Sequence, residues 1–141
     1  MEKKQKTMVN MKLFSGLYRG KKILVTGHTG FKGSWLTLWL LQLGANVAGF
    51  SNTQKTNPYL FEILKLKKKI SHHVGDISEY KQISKVVKKV QPDIIFHLAA
   101  QSLVNKSYVD PINTFKTNSI GTLNILKASE KSKKLKAIVL I

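Results

Sequence analysis

Along this chain, short apolar runs alternate with stretches that are small, polar or rich in lysine. Lys22–Thr26 is such a run and predicts a first strand. From Ser34 to Leu43 the chain is apolar nearly all round, through Trp35, Leu36, Leu38, Trp39, Leu40, Leu41 and Leu43. This predicts a helix over 31–43, deeply buried on a sheet and too short to cross a membrane. Gly44 is its stop signal. Asn46–Phe50 predicts a second strand a few residues on.

The alternation continues. Tyr59–Leu66 predicts a short helix with Leu60, Ile63 and Leu64 on its apolar face, and Ile70–Val74 a third strand. Over 79–90, Ile83, Val86, Val87 and Val90 share one face while Lys81, Lys85, Lys88 and Lys89 face water. Ile94–Leu98 is apolar nearly throughout, as a central parallel strand is. Ser102–Val109 reads as a loop. Asp110-Pro111 then starts a long helix running to about Ser129. Its expected buried residues are Phe115, Ile120, Leu123, Leu126 and Ala128. Ala137–Ile141 begins a fifth strand, inside which the chain stops.

The polar stretch between the first strand and the first helix carries the chemistry. Gly27, Gly30 and Gly33 stand at G-x-x-G-x-x-G spacing, with a strand before and a helix after. Gly27 lets the chain turn sharply, Gly30 leaves room for a pyrophosphate at the backbone, and Gly33 lets the helix pack closely on the strand. The free N–H groups and dipole at the helix start attract phosphate oxygens. Bare glycine spacing is weak evidence; this context is what a dinucleotide site requires. The expected fold is therefore α/β: a Rossmann-type doubly wound parallel sheet, incomplete, of about five strands in the order 3-2-1-4-5.

The second strand ends in Gly49-Phe50-Ser51-Asn52, without the acid that often holds ribose hydroxyls. Lys55 lies nearby, so NAD and NADP both fit. Ser51 and Asn52 suit either a ribose contact or a plain polar turn. Asp76, after the third strand, suits either an adenine amino group with Ile77 packed on the ring, or a helix cap. Small residues at Ala99 and Ala100 give backbone access to a nicotinamide ribose. His72 and His73 have no third ligand in view, and His97 reads as a packed strand residue. Asn118 and Gly121 are poor helix formers inside a helix, which hints at function or close packing.

Composition sharpens this picture in two places. The chain has 141 residues and no cysteine, so disulfides and thiolate metal sites are excluded. Its net charge is +17, from 23 lysines and Arg19 against seven acids. With one arginine and no nucleic-acid-binding motif, the charge reads as solvated lysine surface rather than a specific nucleic-acid interface. It also favours anionic cofactors and nucleotide sugars. Residues 1–20 open with a lysine cluster but lack an apolar core of signal-peptide length. They are expected to be a poorly ordered leader with a short helical turn at 11–17, ahead of a dinucleotide-binding domain at 21–141. Met1, Met8 and Met11 are all candidate starts.

Taken together, Val25-Thr26-Gly27-His28-Thr29-Gly30-Phe31-Lys32-Gly33-Ser34-Trp35-Leu36, Gly75-Asp76-Ile77, Phe96-His97-Leu98-Ala99-Ala100-Gln101, Ser107-Tyr108, Pro111 and Asn118-x-x-Gly121-Thr122 carry a resemblance. The chain resembles the extended short-chain dehydrogenase/reductase superfamily, in its nucleotide-sugar dehydratase group. The wording is most similar to CDP-glucose 4,6-dehydratases, with GDP-mannose 4,6-dehydratases as the nearest alternative.

The resemblance implies that bound NAD takes a hydride from C4 of the sugar, water is lost across C5–C6, and the hydride returns to C6. It implies cofactor contacts from Gly27, Thr29, Gly30, Phe31, Lys32, Gly33, Asp76, Ile77, Ala99, Ala100 and Gln101. Ser102, Ser107 and Tyr108 would border the sugar, and Asn118 would support the site and lie in a homodimer helix. A cytoplasmic location and no membrane partner are implied as well. The family's Tyr-x-x-x-Lys pair follows the fifth strand, and the only such pattern here, Tyr18 to Lys22, lies in the leader and ends where the first strand begins. The chain thus reads as the N-terminal, cofactor-binding part of such an enzyme, truncated before its substrate domain and inactive alone, since the general base for C4 oxidation is missing. The reading from another class is a non-catalytic nucleotide- or RNA-binding module.

Overall fold

Five apolar runs become five parallel strands in a computed structural model that describes residues 13–52, 59–130 and 132–141. They are β1 (Lys22–Thr26), β2 (Asn46–Ser51), β3 (Ser71–Val74), β4 (Ile94–His97) and β5 (Ala137–Leu140). Their order is β3-β2-β1-β4-β5, as the alternation of strands and helices predicts. Central β1 pairs with β2 through Ile23↔Val47 and with β4 through Ile23↔Ile94.

The period of two along a strand divides the core between two faces. Ile23, Val25, Val47 and Ile94 pack with Leu40 of α1 (Phe31–Gln42) on one side. Leu24, Ala48, Phe50 and Ile95 pack on the other, against Ile83, Val86 and Val87 of α3 (Tyr80–Val90) and Ile125 and Ala128 of α6 (Gly121–Ser129). Between β2 and β3 lies the short α2 (Leu60–Ile63).

Several expectations need correction. α1 is not deeply buried all round: Phe31, Trp35 and Trp39 are 58%, 50% and 48% exposed. They recur at every fourth residue and so form one outward stripe. The inward stripe is Gly33, Ser34, Thr37 and Leu40, small enough to bring the helix close to the sheet. In α2 the buried anchor is Phe61 rather than Ile63, and Leu66 just beyond it is fully buried. Part of the expected loop at 102–109 forms α4 (Val104–Val109).

The long helix is present but not uniform. α5 (Pro111–Phe115) runs through a π-helical turn, Lys116–Ile120, into α6. Phe115, Leu123 and Leu126 are exposed, whereas Asn124, Ile125 and Ala128 are buried. A π turn holds an extra residue, which rotates the face that follows by about 100° from what a regular helix presents.

Of the expected leader, residues 1–12 lie outside the described residues, as does the polar loop at 53–58 with Lys55. Leu13–Gly16 form a 3-10 turn, and Tyr18 packs against the α1 face of the sheet. Gly20 N–H donates to the Gly44 carbonyl at 2.8 Å. Among the described residues, no helix is long and apolar enough to cross a membrane.

Candidate functional site

All five strands point the same way, so their C-terminal ends line one edge of the sheet. Gly27, Ser51, Gly75-Asp76 and Leu98–Gln101 follow β1, β2, β3 and β4 along it. The chain leaves β1 toward β2 on one side and reaches β4 on the other. Such a reversal opens a crevice at the strand ends, where open α/β sheets bind ligands.

The glycine turn occupies that crevice. Gly27 has φ +73, and a Cβ there would meet the Leu98 and Ala99 backbone at 2.8 Å. A Cβ on Gly33 would lie 2.1 Å from the Gly27 carbonyl oxygen. These two glycines are required by packing. Gly30 differs: its Cβ would meet only the Gly27 carbonyl oxygen, at 3.3 Å, and its remaining surroundings are open. It is also the N-cap of α1, with no side-chain cap and no acid in the first turn. The first intrahelical amide bond is Ser34 to Gly30, so the N–H groups of Phe31, Lys32 and Gly33 precede the helical ladder. This is a cradle with room and donors for a pyrophosphate.

The other candidates divide. Thr29 is buried, with its hydroxyl 2.7 Å from that of Ser51. Ser51 is thereby tied to the glycine turn rather than presented to a ribose. Asp76 Oδ1 accepts from both the N–H and hydroxyl of Ser78, at 2.8 and 2.9 Å. Ile77 is buried in the core; a Cβ on Gly121 would come within 2.7 Å of it. Its side chain therefore belongs to the core, and its carbonyl accepts from Asn124 Nδ2 at 3.0 Å. Lys32 is exposed beside the cradle. Ala99 is half-buried, Ala100 is exposed, and both follow β4 at the same edge.

Gln101 is held by Asn118. The Gln101 N–H donates to Asn118 Oδ1 at 2.8 Å, and Asn118 Nδ2 donates to the Gln101 carbonyl at 3.1 Å. Ser102 is exposed. Ser107 spends its hydroxyl on the Val104 carbonyl within α4, and Tyr108 is 83% exposed.

Two histidine arrangements were not legible beforehand. His97 Nδ1 lies 2.6 Å from Thr26 Oγ1, and its Nε2 lies 3.1 Å from Thr122 Oγ1. Thr122 donates to the Asn118 carbonyl at 2.6 Å, so it must accept from His97 Nε2–H. His97 Nδ1 then accepts from the Thr26 hydroxyl, whose oxygen accepts from Ala99 N–H. Burial lowers the His97 pKa, which keeps this neutral tautomer.

His28, from inside the glycine turn, is fully buried with Nε2 2.7 Å from His72 Nδ1. Its ring fills the notch left by Gly49, where a Cβ would lie 2.4 Å from it. It meets the Phe61 ring edge-on. Burial, then the neighbouring His72, lowers its pKa to about 4. Among the described residues, no group of three metal-ligating side chains forms. The oddity of a histidine in the glycine turn was the available signal, but its partner lies 44 residues away.

Comparison with known proteins agrees with this geometry. The fold matches an epimerase from Methanothermobacter thermautotrophicus, with TM-score 0.77 and 29% identity over 95% of this chain and 37% of that one. It also matches Thermus thermophilus UDP-glucose 4-epimerase in complex with NAD, with TM-score 0.71 and 30% identity over 82% of this chain and 36% of that one. These place the fold in the extended short-chain dehydrogenase/reductase class. A sequence model of GDP-mannose 4,6 dehydratase matches residues 24–141, and the chain belongs to that family. It is 44% identical to CDP-glucose 4,6-dehydratase of Salmonella typhimurium, over 86% of this chain and 34% of that protein. The chain spans about a third of the length of that curated relative.

Proposed function

We propose that this chain binds NAD, as the cofactor-binding part of a nucleotide-sugar 4,6-dehydratase that acts on CDP-glucose. The observation that carries the cofactor reading is the cradle at Gly30, open on one side and backed by the uncapped start of α1. The sugar nucleotide rests on the likeness to CDP-glucose 4,6-dehydratase. When bound, NAD supplies a reversible hydride acceptor at the sugar's C4. This chain's residues bind and orient it. Gly30 and the N–H groups of Phe31, Lys32 and Gly33 take the pyrophosphate. Asp76 and the backbone N–H of Ile77 take the adenine. Ala99, Ala100 and Gln101 flank the nicotinamide ribose, with Thr29 bracing the turn.

The same reading puts Ser102, Ser107 and Tyr108 at the border of the sugar, and a homodimer contact on the exposed Ile112, Phe115 and Leu123. It treats residues 1–20 as a leader to the Rossmann domain at 21–141 and places the protein in the cytoplasm. Calorimetric titration with NAD and NADP tests it. Saturable NAD binding that is tighter than NADP binding, and lost in Gly30→Trp, is expected. Equal affinity for the two would overturn the choice of NAD, and binding that survives Gly30→Trp would overturn the cradle.

A further inference from the structure

A second concave site lies at the opposite edge of the sheet, at the N-terminal ends of β1, β2 and β3. It has a volume of about 550 Å³. Four lysines from three separate segments converge on it: Lys22 at the start of β1, Lys68 and Lys69 ahead of β3, and Lys89 near the end of α3. Ser71 and His73 line it as well, and among the described residues no carboxylate does. Among the described residues none of these lysines has an ion-pair partner. The acid next to Lys22 in space, Asp93, accepts from the Lys22 backbone N–H at 2.9 Å.

The floor is built by register. β3 pairs with β2 only from Ala48↔Ser71 onward, so Asn46 and Val47 have no β3 partner. Asn46, Val47 and Ala48 line the cavity there, with the Asn46 N–H tied to the Lys21 carbonyl at 2.8 Å. Positive charge is concentrated enough to act on a neighbour: burial lowers the His73 pKa, and Lys89 lowers it further. Four cations around one concavity without an acid repel one another, and a multiply charged anion relieves that repulsion. Lysine suits it as a point-charge phosphate binder, and the serine hydroxyl adds a directional donor.

We propose that this cavity is a binding site for a small polyphosphate, free or as the tail of a nucleoside triphosphate, separate from the cofactor cradle. Amide-shift mapping and calorimetry with tripolyphosphate and with ATP, at about 150 mM salt where exposed charges are largely screened, test it. Saturable shifts centred on Val47, Ser71 and Lys89 are expected with both probes. If ATP binds more tightly there than tripolyphosphate, the nucleotide is the source; equal binding assigns the bare phosphates. The triple variant K68Q/K69Q/K89Q changes only exposed side chains, and its affinity should fall about tenfold or more, as losing charge-assisted hydrogen bonds implies. The control K133Q/K134Q/K136Q removes the same charge elsewhere and should change affinity less than about twofold. Equal loss in the two variants, shifts spread evenly over all lysines, or no saturation at that salt would overturn the site.

Discussion

The hydroxyl oxygen of Thr26 lies 2.6 Å from Nδ1 of His97, joining the end of β1 to the end of β4. Because Thr122 commits its proton to the Asn118 carbonyl, the whole chain of bonds runs one way: Ala99 N–H, Thr26, His97, Thr122, Asn118. Every group in it is satisfied, and each removal strands a neighbour.

Thr26→Val keeps the shape of the side chain and removes the hydroxyl. It leaves His97 Nδ1 and Ala99 N–H without their partner in a buried place. Chemical denaturation should show a loss of about 1–3 kcal/mol. Nitrogen-15 NMR of the wild-type ring should show protonation at Nε2; the Nδ1 tautomer would contradict the direction derived for the chain.

Asn118→Leu removes both bonds to the Gln101 backbone. The expected loss is about 1–3 kcal/mol. Hydrogen exchange at the Gln101 amide should speed up more than exchange at Ile95 in the buried β4. Uniform acceleration across β4 would point to general destabilisation instead of a released loop.

How legible this was depended on locality. Strands β1 to β4 and the helix over 80–90 carry their periodicity within a few residues, and the structure follows it to within a residue or so at each end. α1 was not legible in orientation, because a helix apolar on every side has no phase to read. α6 failed differently: Asn124 is buried because its amide donates to the carbonyls of Ile77 and Ser78, at 3.0 and 2.8 Å. No pattern within the helix announces such a partner. The strand, glycine turn and helix over 22–42 were legible because a local order of residues builds them. The His28–His72 pair was not, because tertiary pairing alone creates it.

That pair makes stability depend on pH. The folded-state pKa of His28 is lowered from 6.5 to about 4. Between those values the unfolded chain binds more protons than the folded one, so stability falls as pH drops from about 6.5 toward 4. The loss should reach roughly 2–3 kcal/mol, the pair titrating as a unit. Denaturation at several pH values checks it. His28→Gln should lower stability at neutral pH and flatten the slope below 6.5. An unchanged slope would place the acid sensitivity elsewhere.

Gly49→Ala probes the same ring from the other side. The new Cβ would sit 2.4 Å from the His28 ring, a distance real contacts do not reach. Overpacking of this kind costs about 1–3 kcal/mol. In a His28→Ala background the obstruction is gone, so the second substitution should cost far less. A double-mutant cycle measures the difference as coupling; strictly additive losses would mean that Gly49 is needed for its backbone alone.

Gly30 and Gly33 stand three residues apart in one motif, yet they should respond oppositely to alanine. At Gly33 the added Cβ would lie 2.1 Å from the Gly27 carbonyl oxygen, which is backbone and cannot swing aside. The turn and the start of α1 must separate, and the melting temperature should drop sharply. At Gly30 the backbone is extended, φ −68 and ψ 168, which alanine adopts freely. Its Cβ meets one carbonyl oxygen at 3.3 Å and otherwise projects into open space. Gly30→Ala should therefore melt near the wild-type temperature while dinucleotide affinity falls about tenfold or more, because the methyl group occupies the volume a pyrophosphate needs. Thermal melts and calorimetric titration on the two variants separate a glycine kept for packing from a glycine kept for a ligand. Wild-type affinity in a well-folded Gly30→Ala would remove the cradle from the binding site.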